Sequence, residues 1–521
     1  MNRSLSGLLR GKIDYYIIAN LLLPIFGIYI AVVNTFGVGG FVKAIFALLI
    51  LAILAYAFIF QKIIQQIQAI LLSCFVGIEY TLFLLPIFIL INVFTGKENL
   101  FFKTKNPLLI TLIYLYMGIS LFLLFVYSLV DGAWYNSLLW LLISFGTFLC
   151  FVYFYQQKYT EAETTHIFQY FEHLIWLQIP ILFLQLPIHR SFNPLKSNDM
   201  WKGSFDDGEK LTFFFVAYLL SYYLPPIISR HYRFRNLFKL KSLFFLFLSL
   251  VLLVYVDAKL KLGLFFITII IVLFYAFLQY YLVNNKWLSG IKILVVNVLM
   301  FISIFGASIG LELYIQTTSG VSTAKFIDFY LNPQSDSKSA VRPLKIVLYQ
   351  RVYYYMYLED LPVWAIGAGP GRFGSKAANI MATDVLYKEK GQLTLPNFIS
   401  PYSSYYVKKY MGDIWTAENA MLMTWMSANF TFPFAGWITI KSELGIGGLV
   451  IFILILFLFA TTLFSRINTF LQSPFLQKWA LSLAVLWFAL PTLMFFDNIQ
   501  DQPQYMIPLM TLSALLLNLR K

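Results

Sequence analysis

The sequence predicts an all-α fold: a polytopic transmembrane helical bundle of about 12–13 spans with one long, partly helical external loop. Composition is the first reason, because 60% of the 521 residues are hydrophobic, 19% aromatic and only 12% charged, unlike any soluble domain of this length. The second is that apolar runs of about 20 residues, the length of one helical crossing, recur with short polar joints between them. The third is physical. Water is absent from the bilayer core, so backbone groups must be satisfied within helices or closed barrels, and barrel strands would be half this length.

In order, the runs are Tyr15 to Asn34, Phe41 to Phe60, Ala69 to Phe94, Pro107 to Val130, Trp134 to Tyr155, Ile167 to Ile188 and Leu211 to Ser229. Ser242 to Val256, Leu262 to Val283, Lys292 to Ile315, Ile446 to Ser465, Pro474 to Phe496 and Tyr505 to Leu519 complete them. The chain therefore divides into a transmembrane bundle over 1–315 with a short external loop near 189–210, a large loop over 316–433, and C-terminal spans over 434–521. No small-residue cleavage site follows the first run, which reads as a retained anchor.

Short loops rich in lysine and arginine stay on the cytoplasmic side. Arg230, Arg233, Arg235, Lys239 and Lys241 set that side, which places 316–433 outside, Arg466 and Lys478 inside, Asp497 to Asp501 outside and the C-terminus inside. Counting backward leaves Arg3, Arg10 and Lys12 outside. That conflict is resolved if one of the first three segments only partly enters the membrane. The net charge of +14 is largely cytoplasmic, where anionic membrane lipids account for it, and nucleic acid is not an expected partner. Cys74 and Cys150 lie within runs and offer neither metal spacing nor a disulfide framework.

Chemistry is expected in the long loop, which holds eleven Lys/Arg against eight Asp/Glu. Long loops translocate regardless of charge, but external cations suit an anionic ligand. After Arg342 and Pro343, the residues Val347, Leu348, Val352, Tyr355 and Leu358 return at helical spacing, predicting an amphipathic helix at the outer membrane surface with Arg351 in its middle. Gly367 to Gly374 follows, too glycine-rich for helix. Its amides suit a concave anion site. Gly369 to Gly374 satisfies the dinucleotide pattern G-x-G-x-x-G, but the strand-turn-helix context is missing and the loop faces away from cytoplasmic nucleotides.

Arg351, the run Gly367-x-Gly369-x-Gly371-x-Phe373 and the run Ser442, Glu443, Gly445, Gly448 together resemble the O-antigen polymerase and O-antigen ligase superfamily of bacterial membrane proteins. Lys202 to Phe205 and Asp257 to Lys259 are weaker matches. The resemblance implies glycosyl transfer from a polyprenyl-diphosphate-linked oligosaccharide to a glycan or lipid acceptor. It places the reaction at the outer face of the bacterial inner membrane, with no metal or nucleotide cofactor, and with chain-length regulator and flippase partners. It also implies that cations stabilise the departing diphosphate: Arg351 first, then Lys259, Arg342, Arg372 and Lys202, with Gly367, Gly369 and Gly371 approaching the ligand. Lysine stands at 202 and 259 where relatives carry arginine, so bidentate geometry is lost there.

Family ligases carry a His-Asn pair about nine residues before the glutamate matched by Glu443. Phe434 and Ala435 stand there, and the long loop contains no histidine. Glu418, Asp413 and Glu443 are the remaining candidates for accepting a proton, Glu443 at a membrane boundary where desolvation raises a carboxyl pKa. The missing histidine favours polymerase over ligase. Each assignment has a plainer reading: Arg351 snorkelling to lipid phosphates, loop cations simply solvated, the glycines a structural turn, Glu443 a helix cap, the loop tyrosines an interfacial belt. Glu79 and Glu172 read as helix–helix hydrogen-bonding groups. A rival class, a transporter or flippase of lipid-linked glycans, predicts midplane charges and paired discontinuous helices, and a scaffold subunit predicts dispensable loop cations.

Overall fold

The computed structural model describes residues 14–36, 40–95, 106–185, 187–188, 202–205, 210–211, 213–218, 344–382, 402–413, 435–466 and 473–519. Among them there is no strand. Among the described residues, seven helices are long and apolar enough to cross a bilayer.

The first spans are α1 (Tyr15–Phe36) and α2 (Gly40–Phe60). The predicted crossing from Ala69 to Phe94 is instead two short helices, α3 (Ile63–Phe75) and α4 (Leu85–Phe94), separated by a 3₁₀ turn at Glu79–Leu84. This correction has a local cause. The Gly77 amide donates to Ser204 O (2.9 Å), and Gln504 Nε2 donates to the Val76 carbonyl (3.0 Å), so groups freed by the break find partners in neighbouring segments. A broken helix is tolerated at membrane depth only under that condition.

Next come α5 (Pro107–Asp131), α6 (Trp134–Trp140), a π-turn at Leu141–Phe145, α7 (Gly146–Tyr155) and α8 (Glu161–Gln185). On α5, Leu108, Leu115, Phe122 and Leu129 are exposed every seventh residue while Ile113, Tyr116 and Ser120 are buried, the pattern of a helix with one lipid-facing and one protein-facing side. The last long helices are α14 (Gly436–Arg466), α15 (Pro474–Phe496) and α16 (Pro503–Asn518). Phe459 of α14 stacks on Trp487 of α15 at 4.1 Å, and α14 also packs on α5. Glu172 accepts from Trp479 Nε1 (3.0 Å) and pairs with Lys478, joining α8 to α15.

Between these lies the polar segment: α9 (Leu344–Gln350), a π-turn at Arg351–Tyr355, α10 (Met356–Glu359), α11 (Leu361–Ile366), α12 (Lys376–Met381) and α13 (Tyr405–Met411). The amphipathic helix is present, but its phase differs from the predicted one. Leu348, Val352 and Met356 are buried while Tyr355 and Leu358 are exposed. The wide π-turn lengthens the repeat to four residues and carries Met356 inward in place of Tyr355.

Candidate functional site

α14 does not run straight. Gly445 (φ 68°, ψ −167°) breaks it just after Glu443, and a break leaves carbonyls of the preceding turn without helical partners. Two are taken from outside: the Ala368 amide donates to Ser442 O (2.7 Å) and the Gly369 amide to Glu443 O (3.0 Å). The glycine turn and the break thus form one interlocked unit. An added Cβ at Gly445 would sit 2.2 Å from Ala365 O, and one at Gly367 (φ 98°) 2.3 Å from Glu443 O, so only glycine permits this approach on both sides.

The Glu443 side chain completes the unit. Its residue is 1% exposed. Oε1 accepts from the amides of Phe373 (2.9 Å), Gly374 (3.1 Å) and Ser375 (2.9 Å), and Oε2 from Gly371 (2.8 Å). The turn does form a concave anion site, and the anion it holds is this carboxylate. Gly367, Gly369 and Gly371, expected to approach a ligand, instead meet protein: Cβ atoms there would strike Glu443 O, the Tyr127 ring and Asn136 O. Glu443, expected as a catalytic group, organises the turn.

Arg372, expected to bind diphosphate, is 1% exposed. Its Nε and Nη2 hold Asp131 at the end of α5 (2.7 and 3.0 Å), Nη2 also reaches Ser128 Oγ (3.1 Å), and Nη1 donates to Pro370 O (2.7 Å) and Ser137 Oγ (3.3 Å). This bidentate clamp pins the turn to α5. Tyr402 also donates to Asp131 (2.9 Å), and its phenol is pushed up to about 12 by burial, then by that carboxylate. Ser404 caps α13 and donates to Arg372 O (2.5 Å).

Arg351 has a different setting. Its Nη1 and Nη2 grip Asp413 at 2.5 and 2.7 Å, and Nη1 also donates to Tyr410 O (3.0 Å). The arginine side chain is 24% exposed and the aspartate 64%, so the pair opens to solvent. Hydrogen bonding to Asp413 raises the guanidinium pKa above its ordinary value, burial notwithstanding. Lys409 pairs nearby with Asp360 (2.6 Å) and Glu359 (2.9 Å). Burial pushes the Asp360 carboxyl up, but hydrogen bonds from Lys409 and Tyr410 outweigh it and hold the group below the usual carboxylate range. Tyr354, Tyr355, Tyr357, Leu358, Leu361 and Ile366 are exposed along the same α9–α11 segment. α11 packs on α14, next to Ile446, where the exposed apolar side of α14 begins.

Lys202 is half-buried in a turn whose Ser204 Oγ donates to Phe75 O (2.5 Å) and whose Ser204 amide donates to Gln178 Oε1 (2.9 Å). Lys259, Arg342 and Glu418 lie outside the described residues. Three groups at the site escaped sequence reasoning. Asp131 ends a span and Lys376 follows the glycine run by two residues. Asp501 ends a 3₁₀ turn, Ile499–Asp501, and its carboxylate accepts from Ser144 Oγ (2.5 Å), Asn498 Nδ2 (2.9 Å) and the Lys376 amide (3.2 Å). Burial pushes the Asp501 carboxyl above its ordinary range, with Ser144, the Lys376 amide and Asn498 opposing. Lys376 Nζ pairs with Glu79, which also holds Lys210 at 2.7 Å. Ser144, the donor to Asp501, sits in the π-turn Leu141–Phe145, a backbone feature frequent at functional sites that leaves no mark in the sequence.

Among the described residues no three His, Cys, Asp or Glu side chains converge as a metal-ligand set. No family model, curated protein or solved structure matches this chain.

Proposed function

We propose that the chain is a glycosyltransferase that joins polyprenyl-diphosphate-linked oligosaccharide units into a surface polysaccharide at the outer face of a bacterial inner membrane. The observation that carries this reading is Arg351: a bidentate guanidinium grip on an oxyanion, open to solvent, on a helix whose exposed tyrosine and leucine side chains adjoin the lipid-facing side of a span. A planar fork that holds a carboxylate matches a phosphate equally well. In this reading Asp413 occupies the fork until the donor arrives, and the diphosphate replaces it. As the glycosidic bond breaks, negative charge grows on the leaving phosphate oxygen, and the guanidinium stabilises that charge. The glycine turn, Glu443 and Arg372 act indirectly, by fixing the ground on which α9–α11 and α13 stand.

The test is incubation of the purified full chain with a defined polyprenyl-diphosphate oligosaccharide and resolution of the products by size. A ladder is expected. Arg351→Ala should lower turnover by about 100-fold or more with unchanged thermal stability, and Asp413→Asn, which frees the fork, should lower the KM for donor. One transfer to a different acceptor identifies a ligase instead, and normal-length polymer from Arg351→Ala removes Arg351 from the mechanism. The discontinuities at Val76–Ile78 and Gly445 favour one second reading, a transporter of lipid-linked glycans, in which broken helices build the substrate site. Unaltered donor together with its translocation across vesicles would select it.

A further inference from the structure

Beside Glu443, a cavity of about 20 Å³, room for a single water-sized occupant, has a largely apolar wall and a polar side formed by Tyr116, Ser144, Thr439, Glu443, Gln500 and Asp501. Its polar lining is dominated by acceptors. Glu443 and Asp501 are 1% and 2% exposed, and every hydrogen bond to either carboxylate comes from a neutral amide or hydroxyl. Among the described residues neither forms an ion pair, and the nearby Lys376 amine is committed to Glu79. Gln500, 7% exposed, donates through Nε2 to Asn498, yet its buried Oε1 has no partner.

Two buried carboxylates whose one nearby counter-charge, Lys376, acts on Asp501 while paired with Glu79 are costly, and an unpartnered buried acceptor adds to the cost. The remaining polar lining compounds the imbalance. Ser144 and Thr439 already spend their hydroxyl protons on Asp501 and Ala435 O, leaving oxygen lone pairs. Thr439, Glu443 and Leu444 belong to the last turns of the half-helix that ends at Gly445, whose negative partial charge is lessened where the Ala368 and Gly369 amides cap Ser442 O and Glu443 O. Such a setting repels anions, and its size excludes organic cations. Unwound or half-helix ends lined with oxygen are the arrangement by which membrane proteins hold small alkali cations.

We propose that this cavity binds a sodium ion, held between Glu443, Asp501 and the Gln500 carbonyl oxygen with Ser144 Oγ as a neutral ligand, which locks the glycine turn to the α15–α16 connection. The inference does not depend on the reaction the protein performs. It is tested on the purified full chain by tryptophan-fluorescence melting in sodium chloride against choline chloride at equal ionic strength and fixed pH, together with equilibrium binding of radiolabelled sodium. A saturable rise in Tm specific to sodium and saturable binding of one ion per chain are expected. Gln500→Leu and Asp501→Asn should abolish both responses. If Asp501→Asn fails to fold, wild-type binding and Gln500→Leu decide the matter. Identical melting in the two salts, absence of saturable sodium binding, or a sodium response undiminished in Gln500→Leu would each overturn the site.

Discussion

Replacing Glu443 by glutamine separates an organising carboxylate from a chemical one. In the wild type, four backbone amides donate to its two oxygens within 2.8–3.1 Å in a buried setting. Glutamine can offer one oxygen to Phe373, Gly374 and Ser375, turning three charge-assisted bonds into neutral ones at about 1 kcal/mol each. Its NH₂ group then faces the Gly371 amide, donor against donor, and orphaning that buried N–H costs about 1–3 kcal/mol more. The gross loss is about 4–6 kcal/mol, offset in part because one charge is no longer buried beside Asp501, and the remainder is still a sizeable fraction of the roughly 5–15 kcal/mol that holds a typical domain together. Equilibrium unfolding in mixed SDS micelles measures it, and protease susceptibility of 367–376 reports the same loss locally. A variant within about 1 kcal/mol of wild type but without turnover would refute the structural assignment, because a group acting only in the reaction leaves folding untouched.

Removing Asp131 leaves the buried Arg372 charge unpaired, so Asp131→Asn should cost about 3–5 kcal/mol in the same unfolding assay, and Arg372→Gln should cost less, because Asp131 is partly exposed and keeps its bonds from the Ala133 amide and Tyr402. Arg372→Lys should not restore it, since an ammonium lacks the fork; wild-type stability in Arg372→Gln would show the clamp to be idle. The Asp360–Lys409 pair predicts an acid-side response. A carboxylate held below its unfolded value, near 3.9, contributes stability that is present above that value and lost as pH falls through the lower folded one. Protection factors against hydrogen exchange at 356–366 and 405–411, taken relative to the intrinsic rate at each pH, should therefore fall below about pH 4 and stay flat from there to neutrality, and Asp360→Asn should show no such acid step.

Hydropathy made the scaffold legible. The span from Pro474 to Phe496 matches the helix residue for residue, and most other described crossings differ at their ends by a few residues, but α8 begins at Glu161, ahead of the predicted Ile167, and α14 at Gly436, well ahead of the predicted Ile446. What hydropathy could not convey is the break inside an apolar run at Val76–Ile78, or a helix that starts ahead of its apolar run and bends at Gly445; both bends are held by partners distant in sequence, Ser204 and Gln504 at the first, Ala368 and Gly369 at the second. The glycine run was readable as a turn and as an anion cradle, but not the identity of its anion, because Glu443 lies some 70 residues away. Arg351 and Arg372 look alike as loop arginines. Only their surroundings part them, a serine- and aspartate-lined interior for one and a solvent-open pair with Asp413 for the other.

The stretch from Gly367 to Lys376 is moored by acidic side chains from four separate places: Asp131, Glu443, Asp501 and Glu79. Such a segment cannot be excised and studied in solution, since its moorings would stay behind in the lipid. Transplanting it into a foreign host chain requires moving all four acids together. For engineers building hybrid proteins, the unit of exchange is this dispersed set of positions, not a contiguous cassette.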